Sequence, residues 1–212
     1  MAIEPLELRA ADGPILEAEL SVPPQPWAAV VLAHPHPTRG GNMRSLVTGS
    51  LFADLAGAGV AVIRFNFRGV EGSSGSYDHG VGEQHDVVAA IDAMAPVTEG
   101  LPLVVSGWSF GADTSLAVTD ERLSGWAPVA PPLRFLEADA LAAGHDPRPK
   151  CVVMARHDQF RPPEEAEPVL AGWLNVESHV VEGADHFFVG RTERVAEIVL
   201  GWMRRLPGAD GP

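Results

Sequence analysis

The stretch "VVSGWSFGAD", Val104 to Asp113, sets a serine between two glycines, after an apolar β-branched run and before residues that can open a helix. A serine hydroxyl is a weak nucleophile until a neighbouring base takes its proton, and the base needs a third group to hold its ring. Both types occur downstream. "VVMARHDQF" puts Asp158 a few residues past one apolar run, and "VVEGADHFF" puts His186 just past the next. The chemistry these types can perform together is attack on a carbonyl carbon, with Ser109 as nucleophile, His186 as general base and Asp158 as the carboxylate that orients it.

A strand, Gly-x-Ser-x-Gly and a helix make a nucleophile elbow, in which the serine is forced into strained backbone while Gly107 and Gly111 leave room for the neighbouring strand and helix. The pattern alone is weak, so the other residues must decide. His157 adjoins Asp158, but a histidine adjacent in sequence points away from the site. His145 and His179 read as structural or solvated, and Asp185 as a residue that shapes the turn before His186. Asp139 and Asp146 are the alternative acids.

An oxyanion formed by serine attack needs preorganised N–H donors, one of them from the residue after the nucleophile, here Phe110. The second is sought in "VVLAHPHPTRGGNM". Pro35 and Pro37 carry no N–H, which leaves the His36 amide between them. The pair His34 and His36 also invites a metal reading, but no further ligand follows at suitable spacing in that loop, and His79 and His85 are distant in sequence. No metal and no cofactor are expected.

The elements that must position these residues follow from hydrophobic pattern. "LELRA" and "ILEAELSV" alternate around the turn signal "ADG" and predict an N-terminal antiparallel pair. Then come short apolar runs, "WAAVVLA", "VAVIRFNF", "LPLVVSG", "LSGWAPVA", "KCVVMA" and "VESHVVEG", which read as strands buried on both faces. Helical spacing lies between most of them, at Ser45 to Ala56, Gly82 to Met94, Phe110 to Val118, Pro163 to Trp173 and Arg191 to Arg205. Buried strands separated by helices imply an α/β fold with a mostly parallel sheet. Loops after the strand C-termini then converge on one edge, where Ser109, Asp158 and His186 can meet. One domain is expected over residues 1–212, with a frayed tail from about 207.

The 212 residues carry 15 basic and 28 acidic side chains, a formal net charge of -13. That balance opposes binding to nucleic acid and to anionic membranes. The start "MAIEPLELRA" lacks the layout of a signal peptide, and no run approaches a membrane span, so a cytoplasmic location is expected. The single cysteine, Cys151, excludes an internal disulfide and reads as a small core residue. "GVEGSSG" and "GAGVAV" lack the residues of a nucleotide-binding loop. "PEEAEP" reads as the solvated first turn of a helix. Oligomeric state is left open, a homodimer included.

Taken together, "HPHPTRGGNM", "RFNFRGVEGSSG", "GVGEQHDVVAAID", "GWSFGA", "RHDQF" and "GADHFF" look like the small bacterial proteins of the α/β-hydrolase superfamily, related to dienelactone-hydrolase-like and serine-aminopeptidase-like groups. The resemblance runs from about Trp27 to Trp202. It implies an α/β-hydrolase fold, a Ser109, His186 and Asp158 triad, oxyanion amides at His36 and Phe110, and a structural or pocket-lining role for Arg68 and Gly69. Dienelactone hydrolases proper resemble this fold but carry a cysteine nucleophile, where this chain has Ser109. The loop reads His-Pro where many relatives have His-Gly.

A lid in such proteins falls between the strands ending near Ala130 and starting near Cys151. Here that segment is "PPLRFLEADALAAGHDPRPK", long enough for one short helix, which predicts a minimal or absent cap. An open site favours small or flexible esters. Phe135, Leu136, Trp108, Phe187 and Phe188 are candidate pocket walls, each equally explicable as core. The expected activity is hydrolysis of small carboxylic esters through an acyl-enzyme, with a small acyl substrate as partner. Thioester and peptide cleavage are variants of the same chemistry. A non-catalytic scaffold, or a cofactor-free lyase or haloperoxidase-like enzyme, are the rival readings.

Overall fold

The N-terminal strands, β1 (Glu4–Arg9) and β2 (Ile15–Ser21), pair antiparallel in register, Leu8 opposite Leu16, as their alternation around the turn requires. In the computed structural model, which describes residues 2–136 and 140–209, six more strands extend this pair into one sheet. They are β3 (Ala29–Ala33), β4 (Ala61–Phe65), β5 (Leu103–Trp108), β6 (Leu123–Val129), β7 (Lys150–His157) and β8 (Val176–Asp185). The order is β1-β2-β4-β3-β5-β6-β7-β8; β2 meets β4 antiparallel, and every pairing from β4 through β8 is parallel. This is the α/β-hydrolase architecture.

Among the described residues five helices flank the sheet, α1 (Leu46–Gly57), α2 (Glu83–Met94), α3 (Phe110–Ala117), α4 (Pro163–Leu170) and α5 (Thr192–Met203); the first four lie in crossovers and α5 follows the last strand. Because side chains alternate across a strand, each central strand feeds two cores. Val31 and Val105 face one core with Val87 and Ile91 of α2 and Leu116 of α3. Val30 and Val104 face the other with Leu51 and Leu55 of α1 and Val199 and Trp202 of α5. Cys151 lies in this second core, where burial pushes its thiol up to about 12. At that value it carries no thiolate near neutrality.

Two expectations are corrected here. "VESHVVEG" is not buried on both faces: β8 pairs only with β7, so it is an edge strand, and Glu177, Ser178, Glu182 and Gly183 are exposed along it. It also runs on to Asp185, which sets His186 directly at the strand end. The helix expected to reach Trp173 stops at Leu170, with Pro168 inside its last turn.

Between β6 and β7 the described residues form only a short helical turn, Ala142–His145, and nothing that roofs the sheet edge. Among the described residues no helix is long and apolar enough to cross a membrane.

Candidate active site

Ser109 sits between β5 and α3 with φ 57 and ψ -119, a conformation that side-chain-bearing residues rarely adopt. The turn is held by its surroundings. The Ser109 N–H donates to the Val129 carbonyl of β6 at 3.0 Å. A Cβ on Gly107 would lie 2.3 Å from the Gly111 carbonyl oxygen, and one on Gly111 would lie 2.5 Å from the carbonyl oxygens of Ala33 and His34. Neither glycine tolerates a side chain without backbone movement, which is the physical content of the Gly-x-Ser-x-Gly pattern.

Strands β7 and β8 end beside this turn. Asp158 follows β7 by one residue and His186 follows β8 by one. The structure brings the three side chains together: His186 Nε2 lies 2.9 Å from Ser109 Oγ, and His186 Nδ1 lies 2.8 Å from Asp158 Oδ2. With Asp158 ionised, Nδ1 donates to the carboxylate, so the neutral ring keeps Nε2 free to accept the Ser109 proton. The other Asp158 oxygen accepts from the Phe160 and Arg161 amides at 2.8 and 3.2 Å. The His186 carbonyl accepts from Trp108 Nε1 at 3.0 Å, which ties the loop carrying His186 to the strand end that precedes Ser109.

The rival residues stand apart from this chain of bonds. His157 and His145 are exposed, and His179 on β8 bonds Glu177. Asp146 pairs with Arg148 at 2.6 Å, and Asp185 accepts the Phe187 amide and shapes the turn. Asp139 lies outside the described residues. Arg68 is buried between Asp12 (2.7 Å) and Asp86 (2.8 Å) and anchors the first hairpin turn to α2, so it and Gly69 are structural and do not line the cavity.

An open cavity of about 630 Å³ lies above Ser109, within the range that holds small ligands. His36, Trp108, Phe135, Phe160, His186 and Phe187 are among its walls. The amides of His36 and Phe110 have no intramolecular acceptor among the described residues. The His36 ring packs on Tyr77, Phe110 and Phe135 at centroid distances of 5.2, 5.1 and 5.1 Å, and burial lowers its pKa with help from the Arg39 charge.

Two expected walls are not walls. Leu136 packs toward Gly80 and the core, and Phe188 is fully buried. The reason for the second is a turn: Phe188 has φ 51, which directs it inward while Phe187 remains in the cavity.

Two positioning residues escaped the reading of the sequence. His34 is fully buried at the end of β3; its Nδ1 donates to the Pro35 carbonyl at 2.6 Å and its Nε2 accepts the Phe67 amide at 3.0 Å. It joins the loop carrying His36 to the end of β4, and burial lowers its pKa to about 3, so it is neutral. Asp113, fully buried in α3, accepts the amides of Leu133, Arg134 and Phe135 at 2.9, 3.0 and 3.2 Å. Its pKa is raised by burial, against the pull of those three donors. The helix that presents the serine thus also holds the cavity wall. An Asp two residues past the second glycine, on the core side of a helix, was the available signal.

No family model matches the chain. It is 30% identical over 196 residues to the uncharacterized protein RP471 of Rickettsia prowazekii, covering 88% of this chain and 82% of that one. Among solved structures it is similar to an alpha-beta serine hydrolase homologue from Coxiella burnetii, with a TM-score of 0.84, 30% identity, and coverage of 95% of this chain and 97% of that one. It is also similar to XC6422 from Xanthomonas campestris, described as an α/β serine hydrolase without lid. That match has a TM-score of 0.86 and 26% identity, covering 98% of this chain and 96% of that one.

Proposed function

The chain belongs to the α/β-hydrolase superfamily, and from that premise we propose that it is a serine hydrolase cleaving small carboxylic esters through an acyl-enzyme intermediate. The observation that carries this reading is the continuous hydrogen-bonded chain from Asp158 Oδ2 through both ring nitrogens of His186 to Ser109 Oγ, set at the floor of an open cavity.

In this mechanism Ser109 Oγ attacks the ester carbonyl carbon while His186 Nε2 takes its proton. The negative charge that develops on the carbonyl oxygen is met by the His36 and Phe110 amides. Asp158 holds the ring through Nδ1 and stabilises the imidazolium without itself taking the proton. Collapse of the tetrahedral intermediate breaks the bond to the alcohol, which leaves with the proton from Nε2. A water, deprotonated by the same nitrogen, then attacks the acyl carbon; the bond from that carbon to Ser109 Oγ breaks as Nε2 returns the proton to Oγ, which releases the acid and restores the serine. No step calls for a cofactor. Thioesters and amides enter the same cycle, and the uncovered cavity favours short or flexible acyl groups over long lipid chains.

The test is intact-mass labelling with a fluorophosphonate, alongside hydrolysis of para-nitrophenyl acetate. One adduct is expected on the native protein and none on Ser109→Ala or His186→Ala, with turnover lowered by about a million-fold in each. Native protein that is folded, unlabelled and inactive would overturn the reading in favour of a binding scaffold.

A further inference from the structure

Two arginines, Arg39 and Arg134, are among the residues that line the cavity above Ser109, and no Asp or Glu among the described residues does. This is the reverse of the molecule as a whole, whose formal net charge is -13. Many arginines elsewhere are ion-paired: Arg64 with Glu19, Arg68 with Asp12 and Asp86, and Arg122 with Asp92 and Asp120; among the described residues Arg9, Arg191 and Arg204, outside the cavity, are not. Neither Arg39 nor Arg134 has a carboxylate within ion-pair distance among the described residues.

Both are placed by the fold. Arg39 ends the short helical turn Pro37–Arg39, whose N-cap is His36, another residue of the cavity wall. Arg134 belongs to the segment held by Asp113, and its guanidinium lies 5.6 Å from the centre of the Phe160 ring and donates to the Phe160 carbonyl. Much of the remaining wall is apolar, with Leu46, Trp108, Phe135, Phe160 and Phe187. An occupant complementary to such a wall has an apolar body and an anionic end, because an unpaired guanidinium offers donors that match an oxyanion.

Resting on the hydrolase reading above, we propose that the substrate is an anionic ester whose carboxylate or phosphate is bound by Arg39 and Arg134 while its ester carbonyl lies over Ser109. The negative charge of the rest of the molecule repels such a ligand at long range, so the two arginines carry its selection at contact range.

The experiment compares matched esters, the para-nitrophenyl monoester of adipic acid against para-nitrophenyl hexanoate. Native protein is expected to prefer the anionic ester in kcat/KM. The ratio should fall by about 10-fold in Arg39→Ala or Arg134→Ala, mostly through KM, and further in the double variant. Arg194→Ala, whose side chain pairs with Glu197 on α5 away from the cavity, should leave the ratio unchanged. A native preference for the neutral ester, or a ratio indifferent to both arginines, overturns the proposal.

A binding arm separates its failure from that of the hydrolase reading. Calorimetry on Ser109→Ala should show monomethyl adipate binding more tightly than methyl hexanoate, with the difference lost when both arginines are replaced. That result stands even where no ester is turned over, and equal binding of the two overturns the anion subsite. Competition by hexanoate and by hexyl phosphate distinguishes the oxyanions: the stronger arginine-dependent inhibitor identifies the group, and inhibition by neither counts against the site.

Discussion

The floor and the rim of the cavity are built differently. At the floor, Ser109 is 8% exposed, and each polar side-chain atom of Ser109, His186 and Asp158 has a named partner. At the rim, Leu46, Phe160 and Phe187 are 47%, 39% and 43% exposed. The floor is over-determined by three strand ends and a strained turn, whereas the rim is made of half-exposed side chains from loops and from the first residue of α1. On the proposed function, reaction geometry and substrate choice are therefore carried by separate parts of the structure. A substitution at the floor should alter stability or rate steeply, and one at the rim should retune KM.

Glycines give the sharpest form of this contrast. At the floor, Gly107→Ala puts a methyl group against the Gly111 backbone, where no rotamer relieves the clash. A loss of about 3 kcal/mol in unfolding free energy is expected, with hydrolysis abolished because the elbow must open. At the rim, Gly40 has φ 80 with nothing within 4 Å of an added Cβ. Gly40→Ala should lose only about 1 kcal/mol, from the left-handed backbone alone. Urea unfolding of both variants checks the ordering, and equal losses would break the distinction between floor and rim.

His34 extends the floor into the core and makes it sensitive to acid. Its pKa falls from 6.5 to about 3 on folding, so between those values the unfolded chain binds a proton that the folded chain does not. Stability contributed by the neutral ring is complete above pH 6.5 and is lost as pH falls toward 3, at a limiting slope of about 1.4 kcal/mol per unit. Unfolding midpoints measured across that window should fall with acid in the native protein and fall less steeply in His34→Gln. The variant should also be less stable near neutrality by about 2 kcal/mol, since the Phe67 amide loses its fitted acceptor.

These residues also mark how far the sequence could be read. The elbow was legible because strand, turn and helix are local patterns, and a parallel sheet gathers its strand C-termini at one edge; hence Ser109, Asp158 and His186 were named before their distances were known. His34 and Asp113 were not, because their partners, the Phe67 amide and the amides of residues 133–135, are brought to them only by tertiary folding. Phe187 and Phe188 were indistinguishable in sequence, since one backbone dihedral decides which lies in the cavity. The edge position of β8 was missed because its apolar residues match a buried strand in composition, though its exposed Glu177 and Glu182 were a signal.

Asp113 joins floor to rim, so it tests whether the two are separable. Asn keeps one acceptor oxygen but turns an amide N–H toward the amides of Leu133, or of Arg134 and Phe135. The wall segment should loosen while the turn at Ser109 stays in place. For Asp113→Asn we expect KM raised by about 10-fold and kcat changed far less, with stability lowered by about 2 kcal/mol. A loss confined to kcat would mean that α3 transmits the change to the nucleophile, and the separation would fail.

The smallest effect belongs to Phe187, which packs edge-on against Trp108 and His186 at centroid distances of 6.0 and 5.6 Å. Replacing it by alanine removes part of one exposed wall and one aromatic contact to the base, while the bonds from His186 to Asp158 and Trp108 remain. Such edge contacts contribute about 1 kcal/mol. Phe187→Ala should therefore raise KM by about 3-fold for hexanoate esters and hardly at all for acetate esters, whose acyl group is too short to reach the rim. Equal losses on both esters would show that the ring steadies His186 instead of the substrate, and would move Phe187 from the rim to the floor.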